Sequence, residues 1–353
     1  MRLTRYTPDA FGALRAAADR FGAASLRHRP FVDYYYTENP WCRLHMLEAD
    51  DGSIAGAIGV DSLRFVAGDR PLTFGFATNF HGAQPGVGGY LYLHWMKTAP
   101  FGLVFGGSED THCILRQQGW TYFRGVKTLA LNRAYTPRPG ESVWRRLAKR
   151  VLTRFRRRPA VRFADRVPAS VAARIRVEEE DRFTADMLPQ TSPFALRFAP
   201  ELDYLQWRYR TDLSFVRYRL FRLLTRGRSS GYVVLNDAPD RVAVAQCDGE
   251  SPADLAYGVL RSIVVATEND RKTREILLTC SHSEMGWIYR DFGFRPTGPD
   301  RPFVVGSRRQ SVDLPPDPSR WLINYDWGDN GLRAPFLDQR PAKTMEADLV
   351  VRA

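Results

Sequence analysis

A glycine-rich segment between a predicted strand and a predicted helix is the first feature of the chain that could carry chemistry. Residues 80–89 read Phe-His-Gly-Ala-Gln-Pro-Gly-Val-Gly-Gly. Glycines let a backbone approach a ligand closely, and the first turn of a helix presents N–H groups and the positive end of the helix dipole. Such a segment suits a phosphate, although the same pattern also forms purely structural tight turns. His81, at the end of the strand, has a pKa range that suits a general base.

Two carboxylates after the next predicted strand are further candidates for acid–base work. Glu109 and Asp110 follow the apolar run Gly102–Phe105, which predicts a buried strand. Asp61 and His112 are weaker candidates for the same role. Carboxylates and imidazoles are also ordinary solvated surface groups, so each assignment is a hypothesis, and His81 is the preferred base.

An internal repeat divides the chain into two units. The aromatic segment Phe31–Tyr36 recurs as Tyr204–Tyr209, 173 residues later and with the same internal spacing. A pair of glycines and a closing glycine–aromatic pair follow at offsets of 175 and 174 residues. An offset this constant indicates a duplication. The organisation that we predict is a first domain at 1–135, a connector at 136–175, a second domain at 176–310 and a Pro- and Asp-rich tail at 311–353.

Hydrophobic periodicity predicts the same order of strands, loop, helix, strand and helix in both units. In the first unit it predicts strands at Leu44–Leu47, Ile54–Val60, Arg64–Val66, Leu72–Phe80 and Gly102–Phe105, and helices at Tyr90–Lys97 and Thr111–Gln118. In the second unit it predicts strands at Tyr218–Leu224, Gly231–Leu235, Val242–Cys247 and Ile276–Thr279, and helices at Ala253–Ala266 and Ser283–Phe292. The expected fold class is α+β, with a mixed, mostly antiparallel sheet flanked by helices in each unit.

The net charge of +12 is concentrated in the connector. Nine basic residues and one acidic residue between Glu141 and Arg162 give +8 within 22 residues. The rest of the chain carries only +4, so a basic groove for nucleic acid across the domains is not indicated. Residues 144–158 have helical periodicity. Either they form an amphipathic surface for weak contact with an anionic membrane, or their apolar face packs on the domains.

Cysteine usage and hydropathy bound the compartment. The four cysteines have neither metal-ligand spacing nor the spacing of a disulfide framework, which predicts free thiols and no metal. The sequence has no signal peptide and no apolar run long enough to cross a bilayer. We therefore expect a cytoplasmic protein.

The order of elements around the glycine loop resembles the GNAT superfamily of acyl-coenzyme A N-acyltransferases. In that family a loop of pattern Q/R-x-x-G-x-G/A after the fourth strand holds the coenzyme pyrophosphate. Gly86 and Gly88 fill the two glycine positions, whereas Ala83 stands in the first position and Gln84 is one place late. The resemblance implies a coenzyme site made of Asn79, Phe80, Gln84, Gly86, Val87, Gly88, Gly89 and Ser108. The aromatic opening and the Asp-Gly hairpin also resemble bacterial tandem GNAT proteins linked to cell-surface polysaccharide synthesis.

The family's general acid falls in the other unit. GNAT enzymes often use a tyrosine five residues before the glycine–aromatic pair's aromatic residue to protonate the departing thiolate. That residue is Tyr289 in the second unit and Leu115 in the first. The second unit in turn has Asp248-Gly249-Glu250 in place of the glycine loop, and its carboxylates repel phosphate. The simplest interpretation is that the first unit binds the coenzyme and the second is a degenerate partner.

Three functions are compatible with this resemblance. The leading hypothesis is an N-acyltransferase that uses acetyl-coenzyme A, or another acyl-coenzyme A, to acylate a primary amine such as an amino sugar. A backbone N–H around Asn79–His81 would then hold the oxyanion. The alternatives are a non-catalytic tandem binding or scaffold protein and a transferase that uses aminoacyl-tRNA.

Overall fold

Among the residues that the structure describes, the first unit is built from six strands and four α-helices. In the computed structural model, the described residues are 1–132, 142–145, 147–148, 151, 167–270, 274–307, 312–324, 332 and 334–339. The first unit contains β1 (Arg2–Arg5), α1 (Phe11–Phe21), α2 (Arg29–Tyr36), β2 (Cys42–Glu48), β3 (Ile54–Ala67), β4 (Arg70–Gly82), α3 (Val87–Thr98), β5 (Phe101–Phe105), α4 (Glu109–Gln117) and β6 (Thr121–Leu131).

The second unit repeats this order. It contains α5 (Ala169–Arg174), β7 (Ile175–Glu180), β8 (Leu196–Phe198), α6 (Leu202–Arg208), β9 (Tyr218–Thr225), β10 (Arg228–Ala238), β11 (Arg241–Gly249), α7 (Pro252–Thr267), β12 (Glu275–Cys280), α8 (Ser283–Asp291), β13 (Arg295–Pro296), β14 (Arg301–Gly306) and β15 (Trp321–Leu322). Pairing is antiparallel along most of the sheet and parallel between β4 and β5, between β11 and β12 and between β8 and β15. The predicted α+β class with mixed sheets is therefore confirmed.

The two units exchange a strand. The sheet order is β1-β2-β3-β4-β5-β14-β6-β12-β11-β10-β9-β7, so β14, from the end of the second unit, lies inside the first. Residues Thr121–Val126 of β6 pair with β14, and Lys127–Leu131 of the same strand pair with β12. The division of the chain at 135, 175 and 310 stays a prediction, because residues 301–306 belong to the first sheet although they lie within 176–310.

Equivalent residues of the two units meet between α2 and α6. The rings of Tyr34 and Trp207 stack with their centroids 5.2 Å apart, and the Tyr34 hydroxyl donates to the Trp207 carbonyl. The guanidinium of Arg208 lies over the Tyr35 ring at 5.9 Å. Both pairs are separated by the repeat offset of 173 residues. The stacked aromatic pair contributes about 0.5–1.5 kcal/mol beyond the burial of its area, and the cation–π contact adds to it, so this junction fixes the two units against each other.

One predicted strand of the first unit was wrong. Arg64–Val66 is not a separate strand but the far half of β3, which turns back at Gly68-Asp69 into β4. The aromatic segment Phe31–Tyr36, for which the sequence pattern predicts no element, lies in the helix α2. Pro30 lies in its first turn, where a missing N–H costs nothing, and the His28 Nδ1 atom accepts a hydrogen bond from the Phe31 N–H at 3.2 Å.

Two apolar faces of the first sheet position the site. On the front face, α1 and α2 cover side chains that include Leu44 and Ala57. On the back face, α3 and α4 cover Ile58 and Val104. None of the helices in the described part of the chain is long and apolar enough to cross a membrane.

Candidate active site

A bulge near the end of β4 separates this strand from β5. Gly59 pairs with Thr78 but Ala57 pairs with His81, so β4 has one more residue than β3 at this point. At the bulge, Asn79 adopts a left-handed backbone conformation with φ of 43°, which asparagine tolerates better than most residues. The parallel pairing of β4 with β5 covers Phe74–Phe76, before the bulge. Beyond it the two strands part, and their ends form the sides of an opening.

Ser25, in the turn between α1 and α2, and Tyr36 of α2 hold the bulge in place through the Asn79 side chain. The Ser25 hydroxyl donates to Asn79 Oδ1 at 2.9 Å, and Asn79 Nδ2 donates to the Tyr36 hydroxyl at 2.7 Å. The Tyr36 hydroxyl also lies 3.2 Å from Thr78 Oγ1. Because the amide of Asn79 is engaged in this way, any contact of Asn79 with a ligand falls to its backbone.

The glycine loop presents an open helix start beside this opening. Gly86 is the N-cap of α3 with φ of 86°, a left-handed conformation that favours glycine, and it has no side chain with which to cap the helix. A Cβ atom added to Gly86, Gly88 or Gly89 would meet no atom within 4 Å. The N–H groups of a first helical turn have no partner within their own helix. This helix start is therefore accessible to an anion.

Close packing of α3 on β3 sets the position of that helix start. A Cβ atom on Gly56 would lie 2.4 Å from Val87 Cγ1, so only glycine allows this approach. Val87 is buried there, and its N–H donates to the Gln84 carbonyl at 3.3 Å. The Gln84 side chain is exposed at the rim of the loop, and Phe80 is half-buried against the α3 side. The predicted loop residues thus lie together around one cradle.

His81 lies on the β4 side of the opening in a state suited to a base. Its ring stacks on Phe21 with centroids 5.5 Å apart and planes inclined by 8°. Burial lowers the pKa of His81 below the usual 6.5. The imidazole is therefore neutral at pH 7 and able to accept a proton.

The remaining first-unit candidates lie on the β5 side, at the start of α4. Ser108 is the N-cap of this helix, and its hydroxyl accepts a hydrogen bond from the Thr111 N–H at 3.3 Å. Glu109 is exposed and accepts a hydrogen bond from Arg116 at 2.8 Å, which lowers the pKa of its carboxyl. Asp110 is also exposed in this first turn. Acidic residues in a first turn stabilise the helix dipole, so these positions have a structural explanation.

Sequence reasoning named His112 as a weaker candidate base but missed its partner, Tyr122, near the position that corresponds to Tyr289. Leu115 is buried in the back-face core. One turn earlier, the His112 Nδ1 atom lies 3.2 Å from the Tyr122 hydroxyl. Burial raises the pKa of Tyr122, so its phenol stays protonated at neutral pH. No spacing in the sequence announces the pair, because β6 brings Tyr122 back against α4.

The equivalent helix start in the second unit is satisfied by its own side chains. Ser251 caps α7 by accepting a hydrogen bond from the Asp254 N–H at 3.3 Å, and Pro252 follows it. Asp254 pairs with Arg174 at 2.6 Å. Asp248 is fully buried and pairs with Arg197, while Glu250 pairs with Arg228. Carboxylates occupy the place at which a phosphate would need positive potential.

The strand opening of the second unit is filled by the tail of the chain. The Asn324 Nδ2 atom donates to the Cys247 carbonyl at 2.9 Å, at the end of β11. The Ser281 hydroxyl, just beyond β12, donates to the Trp321 carbonyl at 2.7 Å. Residues 321–324 therefore lie between the ends of β11 and β12. In the first unit, the equivalent position lies between β4 and β5.

Tyr289 lies beneath residues 321–324. Its side chain is only 2% exposed, and burial raises its pKa well above 10. It borders a cavity with room for about one water molecule, together with Cys247, Cys280 and Asn324. The structure does not bring Tyr289 to His81 and the glycine loop, which belong to the other unit. All four cysteines are free thiols.

Other predicted features lie partly or wholly outside the described residues. Most of the basic segment 144–158 is not described, but Trp144, Leu147 and Val151 are, and their side chains are exposed. Within the described ranges, no group of three or more histidine, cysteine, aspartate or glutamate side chains is placed to hold a metal.

Comparison with solved structures identifies the fold. A conserved Enterococcus faecalis V583 protein of unknown function, named as an N-acyltransferase candidate, matches 86% of this chain and 71% of its own, with 8% identity and a TM-score of 0.54. A GCN5-related N-acetyltransferase from Anabaena variabilis matches 86% and 72%, with 9% identity and a TM-score of 0.52. A tandem GNAT protein from the clavulanic acid biosynthesis pathway matches 88% and 99%, with 13% identity and a TM-score of 0.52.

At the level of sequence, neither a protein-family profile nor a curated protein matches the chain. Identities this low show the fold alone. The match over nearly the full length of the tandem GNAT protein agrees with the two-unit topology described above. The chain therefore has the fold of the GCN5-related N-acetyltransferases, in a tandem arrangement.

Proposed function

We propose that the first unit is an acyl-coenzyme A-dependent N-acyltransferase. The observation that carries this proposal is the open, glycine-capped start of α3 at the end of a bulged strand that has parted from its neighbour. An anion at this helix start gains from unpaired N–H groups and from the helix dipole. The neighbours' fold supports an acyltransferase activity.

The cradle fits the phosphates of a coenzyme. Gly86, Gly88 and Gly89 leave the space above the backbone free of side chains. Gln84 is exposed at the rim, where its amide is a further hydrogen-bond donor. When bound, the coenzyme supplies an activated acyl thioester. The Ser108 hydroxyl accepts the Thr111 N–H as the cap of α4, and a contact of Ser108 with the coenzyme stays a prediction.

His81 acts as the general base. It takes a proton from the acceptor amine as the amine nitrogen attacks the thioester carbonyl carbon. A backbone N–H of the bulged segment Asn79–His81 stabilises the negative charge on the carbonyl oxygen. The new C–N bond forms and the C–S bond breaks. The thiolate then takes a proton from water, because Leu115 has none to donate.

The acceptor is a primary amine, and an amino sugar is one member of that class. The weaker alternatives for the base, Glu109 and Asp110, are exposed on the far side of the opening. Tyr289 has a structural role in the core of the second unit and does not take part in the reaction. We place the reaction in the cytoplasm.

Calorimetry and a thiol-release assay test this function. Acetyl-coenzyme A should bind at one equivalent per chain, and thiol release should depend on an added amine from a panel that includes glucosamine. Saturable binding with no turnover on any amine would favour the scaffold function, and dependence on aminoacyl-tRNA would favour the third hypothesis. No binding of coenzyme would contradict the proposal.

A further inference from the structure

A polar groove lies on the back face of the first sheet, at the end of α3 opposite to the glycine loop. Its volume is about 220 Å³, and its lining includes Arg43, His45, Ser62, Thr73 and Thr98. We call it the Arg43 groove. Since α3 has 12 residues, this end lies about 18 Å from the helix start. The groove is therefore separate from the candidate coenzyme site.

The Arg43 groove is cationic. The Arg43 Nη1 atom donates to the backbone carbonyls of Asn39 and Cys42, at 2.6 and 2.9 Å. Arg5 lies on the adjacent strand, directly opposite His45. Burial and the nearby charge of Arg5 lower the pKa of Arg43. None of the described residues that line the groove is acidic.

The imidazoles beside the groove add hydrogen-bonding capacity rather than charge. The His45 and His94 rings are in contact, with centroids 4.5 Å apart. Burial lowers the pKa of His45 to about 4, and the charges of His94, Arg5 and Arg43 contribute to the shift. Both histidines have lowered pKa values, so the two arginines supply the positive charge at pH 7.

The second unit shows which negatively charged partner the Arg43 groove lacks. At the place of Arg43 it has Arg219, which makes two hydrogen bonds of 2.6 Å to Glu179. Glu179 lies opposite Phe221 in the register in which Arg5 lies opposite His45. The first unit therefore has an arginine where the second has the carboxylate that neutralises the site.

A second carboxylate is replaced in the same way. Asp237 of β10 pairs with Arg217 at 2.7 Å and also with Arg274. The strand register places Ser62 of β3 at the equivalent position. The hydroxyls of Ser62 and Thr73 line the Arg43 groove as neutral donors, whereas the Thr98 hydroxyl donates to the Trp95 carbonyl at 2.9 Å. The carboxylates of Glu179 and Asp237 in the second unit thus correspond to Arg5 and Ser62 in the first.

We propose that the Arg43 groove binds a small oxyanion, a phosphate or carboxylate group of a ligand, which supplies the missing counter-charge. A guanidinium matches the geometry of both groups, and the hydroxyls and imidazoles complete the set of donors. The volume suits a single anionic group with a short substituent. It is below the range of about 300–1,000 Å³ that is typical of larger ligands.

Titration of inorganic phosphate at constant ionic strength tests this site. It is carried out in a Gly88→Glu background, so that the glycine loop cannot contribute, and is read by calorimetry and by thermal shift. We expect saturable binding of one phosphate per chain in the millimolar range or tighter. A parallel titration with succinate tells whether the groove prefers a phosphate or a carboxylate.

Arg5→Glu is the decisive variant, because it restores the arrangement of Arg219 with Glu179. It should reduce phosphate affinity at least about tenfold and should melt at or above the temperature of its parent in phosphate-free buffer. Arg176 is exposed on β7. The control variant Arg176→Glu changes the net charge by the same amount as Arg5→Glu and should leave the phosphate affinity unchanged. Ser62→Asp should mimic Arg5→Glu.

Three results would overturn the proposal. They are the absence of saturable binding of either anion in the parent, unchanged affinity in both Arg5→Glu and Ser62→Asp, and an equal loss in Arg176→Glu. None of them bears on coenzyme binding, which is measured separately with the wild-type loop.

Discussion

The helix starts at Gly86 and Ser251 occupy equivalent places in the two units and differ in what satisfies them. At Gly86 the N-cap offers no side chain, and the space over the next residues is empty. At Ser251 a hydroxyl caps the helix, a proline follows, and Asp254 neutralises Arg174. The same fold thus contains one helix start that is open to an external anion and one that is satisfied internally.

The strand openings differ in the same sense. In the second unit Asn324 and the residues before it lie between β11 and β12 and bind the backbone at Cys247. The second unit nevertheless contributes to the first, because its strand β14 pairs with β5 and β6. Duplication has therefore separated the roles, with one unit keeping the open site and the other completing its sheet.

Gly88→Glu is the change with the largest expected effect on coenzyme binding. A carboxylate in the first turn of α3 would occupy the anion position with its own negative charge. Coenzyme affinity should fall at least about 100-fold, as measured by calorimetry. Ala253→Glu is the matched control, since Ala253 is at the same position of α7. Equal affinities in the wild type and Gly88→Glu would rule out the glycine loop.

His81→Gln should lower kcat by about 10²–10⁴, the usual contribution of a general base. Coenzyme affinity should change little, because the glycine loop is untouched. Single-turnover rates and calorimetry separate the two effects. If kcat is retained, Glu109→Gln and Asp110→Asn become the next variants to measure.

The pH profile gives an independent view of the same residue. Because burial lowers the pKa of His81, the neutral imidazole persists as the pH falls through 6.5. The acid limb of kcat/KM should therefore have its midpoint below pH 6.5, and His81→Gln should lose this limb. A midpoint at or above 6.5 would contradict the role of a buried, neutral His81.

Tyr289→Phe should change kcat by less than about twofold. The phenol is buried in the core of the second unit, beneath the tail residues, and a lost hydroxyl there removes at most one hydrogen bond of about 1 kcal/mol. Steady-state kinetics and thermal melting measure both effects. A large loss of kcat with normal stability would place the second unit in the chemistry.

Charge reversal in the basic segment should have the smallest effect on coenzyme binding. The variant replaces Arg154, Arg156, Arg157 and Arg158 with glutamate. We propose that this segment contacts anionic membranes weakly, in keeping with the exposed Trp144 nearby. Coenzyme affinity should stay within about twofold, while vesicle binding weakens, most clearly at low salt. Lost coenzyme affinity in a folded variant would connect the segment to the site.

Local patterns were sufficient for much of the fold and for the loop of the candidate site. Alternating apolar residues predicted β2, β4 and β11, and Gly86–Gly89 marked the start of α3. These signals come from neighbouring residues, so they can be read from the sequence alone. The constant offset between the aromatic segments likewise predicted that Tyr34 and Trp207 are equivalent residues of the two units. It did not predict that they are in contact.

Long-range pairing decided what the sequence could not show. The sequence of Arg301–Gly306 does not indicate that this strand crosses into the other sheet. The same holds for the tail residues at Asn324, for the bulge at Asn79 and for the contact of His112 with Tyr122. Each depends on which distant strand or helix lies alongside, and that is set by packing of the whole chain.

A crystal structure of the protein with coenzyme A tests the central claim most directly. We predict one coenzyme per chain, with its pyrophosphate within hydrogen-bond distance of the backbone N–H groups of Gly86, Gly88 and Gly89. Residues 321–324 should remain between β11 and β12. A coenzyme seated between β11 and β12 beside Tyr289, or one in each unit, would contradict the separation of roles between the two units.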